Sequence, residues 1–105
     1  MSWLYLVLAG CFEIGWPVGL KLAQQAHTRV VGIAMAAVFM IVSGVLLWLA
    51  QRTIPMGTAY AVWTGIGAAG AFFVGVTFYG DAATLGRYAG VALIVAGVAT
   101  LKLAH

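Results

Sequence analysis

Glu13 is the residue in this chain most able to do chemistry. It sits inside the run Trp3-Leu4-Tyr5-Leu6-Val7-Leu8-Ala9-Gly10-Cys11-Phe12-Glu13-Ile14-Gly15-Trp16, with no other charge near it in sequence. The chain has two acids, Glu13 and Asp81, and only Glu13 lies in the middle of an apolar stretch. An ionisable side chain at membrane depth costs about 2.5–3.5 kcal/mol or more, so it marks a site for an ion, a proton or a charged solute. A structural helix–helix hydrogen bond is the competing role.

Other polar and aromatic residues fall at spacings that could join it. Gly10, Glu13, Trp16 and Leu20 repeat at three or four residues and share a helix face. Gly10 leaves space one turn before the carboxylate, and Trp16 puts a large ring one turn after it. Tyr60, Trp63, Gly67, Gly70 and Val74 form a second stripe. Tyr60 offers a phenol O–H and Trp63 an indole N–H, and both rings attract cations. Ser43 is the strongly polar residue near the middle of its segment, placed to bond either a carboxylate or its own helix backbone. Tyr60 and Trp63 also suit membrane-interface anchoring, as do Trp3, Tyr5 and Trp48. Pro17 has no N–H for the carbonyl four residues earlier, which is that of Glu13. We expect it to shape the site by kinking the helix there.

The elements that must hold these residues are membrane spans. The chain of 105 residues is 65% hydrophobic and 7% charged, against roughly 25% charged in a soluble domain. A soluble fold of this size could not hide so much apolar surface. Four apolar segments, about 3–20, 30–50, 55–79 and 85–103, are each long enough to cross a hydrocarbon core about 30 Å thick. The expected fold class is all-α, a single four-helix membrane domain over residues 1–105 with no soluble domain. The first run lacks a preceding basic residue and carries the acid, so it reads as a mature span and not a cleaved leader. Ile54-Pro55 suits a helix start.

The breaks carry the remaining charges. With four spans, Arg52 and Lys102 fall on one side and Lys21, Arg29 and Arg87 on the other. The positive-inside rule needs a bias, and two against three provides almost none. Insertion in both orientations is expected, and two opposed copies would form an inverted repeat, the usual frame of alternating access. Four helices scarcely enclose a gated cavity alone, so a homodimer is expected. Gly65 and Gly67 are candidate flexing points in the third span. Gly90, Ile94 and Gly97 suit a helix–helix seam for dimerisation.

Several classes are excluded or disfavoured. Five scattered basic residues make no nucleic-acid patch. No metal cluster and no nucleophile–base pair is evident, so neither a metal site, a cofactor nor an enzyme is expected. His27 and the terminal His105 read as solvent-facing, and Asp81 as a turn or helix-start residue. Cys11 cannot form an intrachain disulfide; it stands about 200° from Glu13 on a helix and reads as a small hydrophobe.

Glu13, the run Pro55-Met56-Gly57-Thr58-Ala59-Tyr60-Ala61-Val62-Trp63 and the Gly90…Gly97 spacing resemble the small multidrug resistance transporters over the full length. The resemblance implies an antiparallel, dual-topology homodimer of four-helix protomers in the cell inner membrane, exchanging protons for small organic cations. Glu13-Ile14-Gly15-Trp16 with Gly19-Leu20-Lys21, and Trp63-Thr64-Gly65-Ile66-Gly67-Ala68-Ala69-Gly70-Ala71, are similar to the guanidinium exporter branch. By resemblance Glu13 binds substrate and protons, and Gly10, Trp16, Ser43, Tyr60 and Trp63 surround it. Pro17 and the longer loop through Gln24-Gln25-Ala26-His27 depart from the family pattern. Two other functions stay open: a polyspecific exporter of quaternary ammonium or aromatic cations, and an accessory subunit of a heterodimeric transporter.

Overall fold

The computed structural model describes residues 1–104; the reading of His105 lies outside the described residues. Among the described residues four helices follow one another: α1 (Ser2–Leu22), α2 (Arg29–Ala50), α3 (Met56–Phe78) and α4 (Leu85–Ala104), with a 3-10 turn at Ala26–Thr28. Each is long and apolar enough to cross a membrane. They stand side by side in a slab of 44 × 34 × 16 Å. α1 packs between α2 and α3, and α4 leans on α3. The order across the slab is therefore α2, α1, α3, α4.

Small residues set how closely the helices approach. At the α1–α2 crossing, a Cβ on Gly19 would lie 2.7 Å from both the Gly32 oxygen and the Ala36 nitrogen. A Cβ on Gly32 would in turn strike the α1 backbone at Ala23. Backbone meets backbone here, which is how helices gain dispersion contact where lipid tails remove the hydrophobic drive. One turn earlier, Gly15 admits the Phe39 ring, 2.5 Å from where its Cβ would stand.

The dense part of the molecule is the end that gathers the N-terminus and the α2–α3 connection. Leu6, Ala50, Ile54, Ala59 and Val62 are buried together there, with Trp3, Leu47, Ile66, Val98 and Leu101 packed around them. The Ser2 and Thr53 hydroxyls hydrogen-bond across that end. Pro55 is the N-cap of α3, and its carbonyl accepts from the Ala59 N–H at 2.9 Å. At the opposite end the Thr28 hydroxyl donates to the Leu22 carbonyl at 2.6 Å and Arg29 Nε to the Ala23 carbonyl at 3.2 Å, closing the end of α1. Thr84, not Asp81, caps α4: its hydroxyl oxygen accepts the Arg87 N–H at 3.3 Å. Asp81 lies in the irregular connection before α4, after Gly80 at φ 67°.

α4 buries no residue fully. Added Cβ atoms at Gly90 and Gly97 would meet nothing within 4 Å. Ile94 is turned partly toward Gly65 of α3, with its Cγ2 3.3 Å from a Cβ built there.

Candidate functional site

Glu13 projects from the middle of α1, half-buried, against Gly67 of α3. A Cβ on Gly67 would occupy the place of the Glu13 Cγ, so the carboxylate has room because residue 67 has no side chain. One turn further along α1, Trp16 donates its indole Nε1–H to Glu13 Oε1. That bond uses the i, i+3 relation that helical geometry supplies. A groove of about 250 Å³ passes these groups, walled by Glu13, Trp16 and Pro17 from α1 and by Thr64, Gly67, Ala68 and Ala71 from α3.

α1 remains one helix through Pro17. Pro17 provides no N–H to the Glu13 carbonyl, and its ring forms part of the groove wall.

Next to the groove lies a polar layer that ties three helices. Trp63 Nε1–H on α3 donates to Ser43 Oγ on α2 at 2.7 Å, and the Ser43 hydroxyl donates to the Ala9 carbonyl on α1 at 2.6 Å. Ser43 is fully buried. Its hydroxyl therefore bonds neither the Glu13 carboxylate nor its own helix; it bonds the α1 backbone one turn before Glu13. Tyr60 packs against Trp63 with ring centroids 5.4 Å apart and is largely exposed. It lines a second groove with Ala61, Thr64, Gly65, Ala68 and Ile94. Thr64 and Ala68 border both grooves.

The sequence-selected residues thus separate into groups. Glu13, Trp16, Pro17 and Gly67 share one groove. Ser43, Trp63 and Tyr60 form the neighbouring layer. Gly10 faces α3, where Ile66 fills the space: its Cβ lies 2.7 Å from a Cβ built on Gly10. The space that glycine leaves is used for packing, not left open beside the carboxylate. Gly65 faces the other way, 2.5 Å from Val98 Cγ2 of α4 by the same construction.

Thr64 was not singled out by sequence reasoning. Its signal was present: it stands three residues before Gly67 and seven before Ala71, on the same α3 face. Cys11 is exposed on α1. His27 is exposed in the 3-10 turn. Among the described residues, no group of three or more His, Cys, Asp or Glu side chains gathers to hold a metal.

This arrangement defines a multi-pass membrane protein with an acid lodged between two spans and open to a groove. Residues 1–94 match the family described as Small Multidrug Resistance protein, and the chain belongs to that family. It is 48% identical over 103 residues to a guanidinium exporter of Escherichia coli (strain K12), covering 98% of this chain and 97% of that one. It is 47% identical, with the same coverage, to guanidinium exporters of Citrobacter freundii and Salmonella typhimurium. These relatives carry the names of exporters, not of enzymes.

Proposed function

We propose that this chain is a proton-coupled antiporter of the cell inner membrane that exports guanidinium and small substituted guanidinium ions. The observation that carries the reading is the Glu13 carboxylate held by Trp16 in a groove, on a chain nearly half identical, end to end, to named guanidinium exporters.

The chemistry suits a planar cation. Guanidinium presents parallel N–H donors that match a carboxylate with two bonds. The Trp16 indole sits beside that carboxylate, and a bulky ring there favours a small flat ion over a large one. Small residues line the α3 side, Gly67, Ala68 and Ala71, so substituents on the cation meet an apolar wall.

A slab one to two helices thick does not surround a substrate by itself. The reading therefore uses two copies in opposite orientations, with the uncovered α4 supplying the contact through Gly90, Ile94 and Gly97. Two Glu13 carboxylates then serve one site and titrate as a unit. Protonated, they hold a cation weakly; deprotonated, they hold it strongly. Protons and guanidinium occupy the pair in turn, and if only loaded forms change sides, an inward proton gradient drives export. In this scheme Gly65 and Gly67 let α3 bend between the two access states.

The test is transport by the purified protein alone. Liposomes on a solid-supported membrane are given guanidinium, methylguanidinium and tetraethylammonium in turn. Currents for the first two and none for the third support the reading. A dominant tetraethylammonium current favours a polyspecific exporter, and silence for all three an accessory subunit.

A further inference from the structure

A third cavity, of about 160 Å³, opens where α1 and α3 end, with Pro17, Lys21, Ala71, Gly75, Tyr79 and Asp81 in its lining. It shares Pro17 and Ala71 with the Glu13 groove, so the two follow one another along the α1–α3 seam. We propose that this vestibule is a separate staging site for the transported cation, in which Asp81, the face of Tyr79 and the carboxyl end of α3 hold the ion before it reaches Glu13.

Lys21, Arg29 and Arg87 all stand at this end of the bundle, but Arg29 and Arg87 lie outside the cavity lining, and three features favour a cation within it. α1 and α3 run in the same direction and both finish at this end, and a helix C-terminus carries about half a negative charge. α3 has no basic residue in its last turn. The Asp81 carboxylate is folded against that same turn: its Oδ2 occupies the space that a Cβ on Gly75 would take, and its N–H donates to the Gly75 carbonyl at 3.1 Å. An anion at a helix C-terminus is electrostatically unfavourable unless a cation accompanies it. The lining holds one basic side chain, Lys21, whose Nζ lies 5.8 Å from the centroid of the Tyr79 ring. Lys21 is thus a tethered cation in the position that a free one would take. A guanidinium ion entering the vestibule displaces the ammonium from the Tyr79 face, because flat cations stack well on aromatic rings. The role of the Lys21 side chain is competition: it keeps the vestibule weak, so that it passes its ion on.

The ligand class rests on the proposed function; the existence of the site does not. The experiment therefore uses the Glu13→Gln protein, which removes the central carboxylate, and follows backbone and Tyr79 ring NMR signals while guanidinium chloride is added against matched sodium chloride. Saturable shifts at Lys21, Gly75, Tyr79 and Asp81 are expected. Adding Asp81→Asn is expected to weaken them about tenfold or more, and Asp81→Glu to restore most of the affinity. Lys21→Gln is expected to tighten binding about threefold or more, as removal of a competitor must. Absence of saturable shifts in Glu13→Gln, or their survival unchanged in Asp81→Asn, overturns the site. Unchanged or weaker binding in Lys21→Gln overturns the competitor role. Shifts at the vestibule in a protein whose wild type carries no guanidinium would retain the site and reject guanidinium export.

Discussion

Trp16 donates its indole N–H to the Glu13 carboxylate within a single turn of α1. The donor is local in sequence, so the carboxylate is oriented before any second helix arrives. α3 then completes the setting by what it omits, placing Gly67 where any side chain would displace the Glu13 Cγ.

Replacing Trp16 with Phe keeps an aromatic ring and removes the donor. The carboxylate then loses one charge-assisted bond, worth about 1.5–3 kcal/mol when intact. Part of that is recovered by water or by the substrate itself, so guanidinium is expected to bind about three- to tenfold more weakly. Isothermal titration of the purified protein reads this directly; equal or tighter binding contradicts an orienting role.

Gly67→Ala places a methyl group on the Glu13 side chain. The acid must swing aside or the α1–α3 seam must widen. Maximal guanidinium current is expected to fall about tenfold or more, as misplacement of a working group by about 1 Å does elsewhere. The quantity of folded protein, followed by size-exclusion chromatography, separates this from loss of assembly. Wild-type currents from Gly67→Ala would show that the close approach is unimportant.

Ser43→Ala removes the hub between Trp63 and the Ala9 carbonyl and leaves both without it at a buried position. Interhelical hydrogen bonds in membranes average about 0.6 kcal/mol each, so two lost bonds predict a destabilisation of about 1–2 kcal/mol. Reversible unfolding in mixed detergent micelles measures it. No change in stability would mean that the three-helix link contributes nothing.

Gly19→Leu drives a side chain into the backbone of α2 at Gly32 and Ala36. Backbone cannot rotate away as a side chain can, so a loss of about 3 kcal/mol or more, beyond ordinary overpacking, is expected. Gly44→Ala is the control: a Cβ there meets nothing within 4 Å, and its stability is expected to match or exceed the wild type by a few tenths of a kcal/mol. The same unfolding assay compares them; equal stability of the two variants would contradict the backbone contact at the crossing.

Composition made the four helices legible, since segments of this length and apolarity have few other fates. Glu13 was legible because an acid in such a segment is expensive. Trp16 was legible because its relation to Glu13 is set by helical periodicity alone. The partner of Ser43 was not. The Ala9 carbonyl is a backbone group whose availability depends on how α1 and α2 slide past each other, and sequence carries no direct mark of that register. Gly65 and Gly67 look alike as neighbours in one Gly-rich run, yet two residues on a helix stand about 200° apart. One faces Val98 of α4 and the other Glu13. Gly10 shows the limit from the other side: a small residue signals close approach, but not whether the space admits a ligand or, as here, Ile66.

The central claim is that protons and guanidinium take turns on Glu13, and the proton count of binding tests it most directly. Titration calorimetry of guanidinium in buffers of different ionisation enthalpy reports protons released per ion bound. Across the pH range in which Glu13 takes up its proton, binding is predicted to release protons and to weaken by up to about tenfold for each unit of acidification per proton displaced. Glu13→Gln is predicted to bind no guanidinium at the central groove and to release none. Guanidinium binding by the wild type with no proton released, and with the same affinity from acid to alkaline pH, would contradict the account.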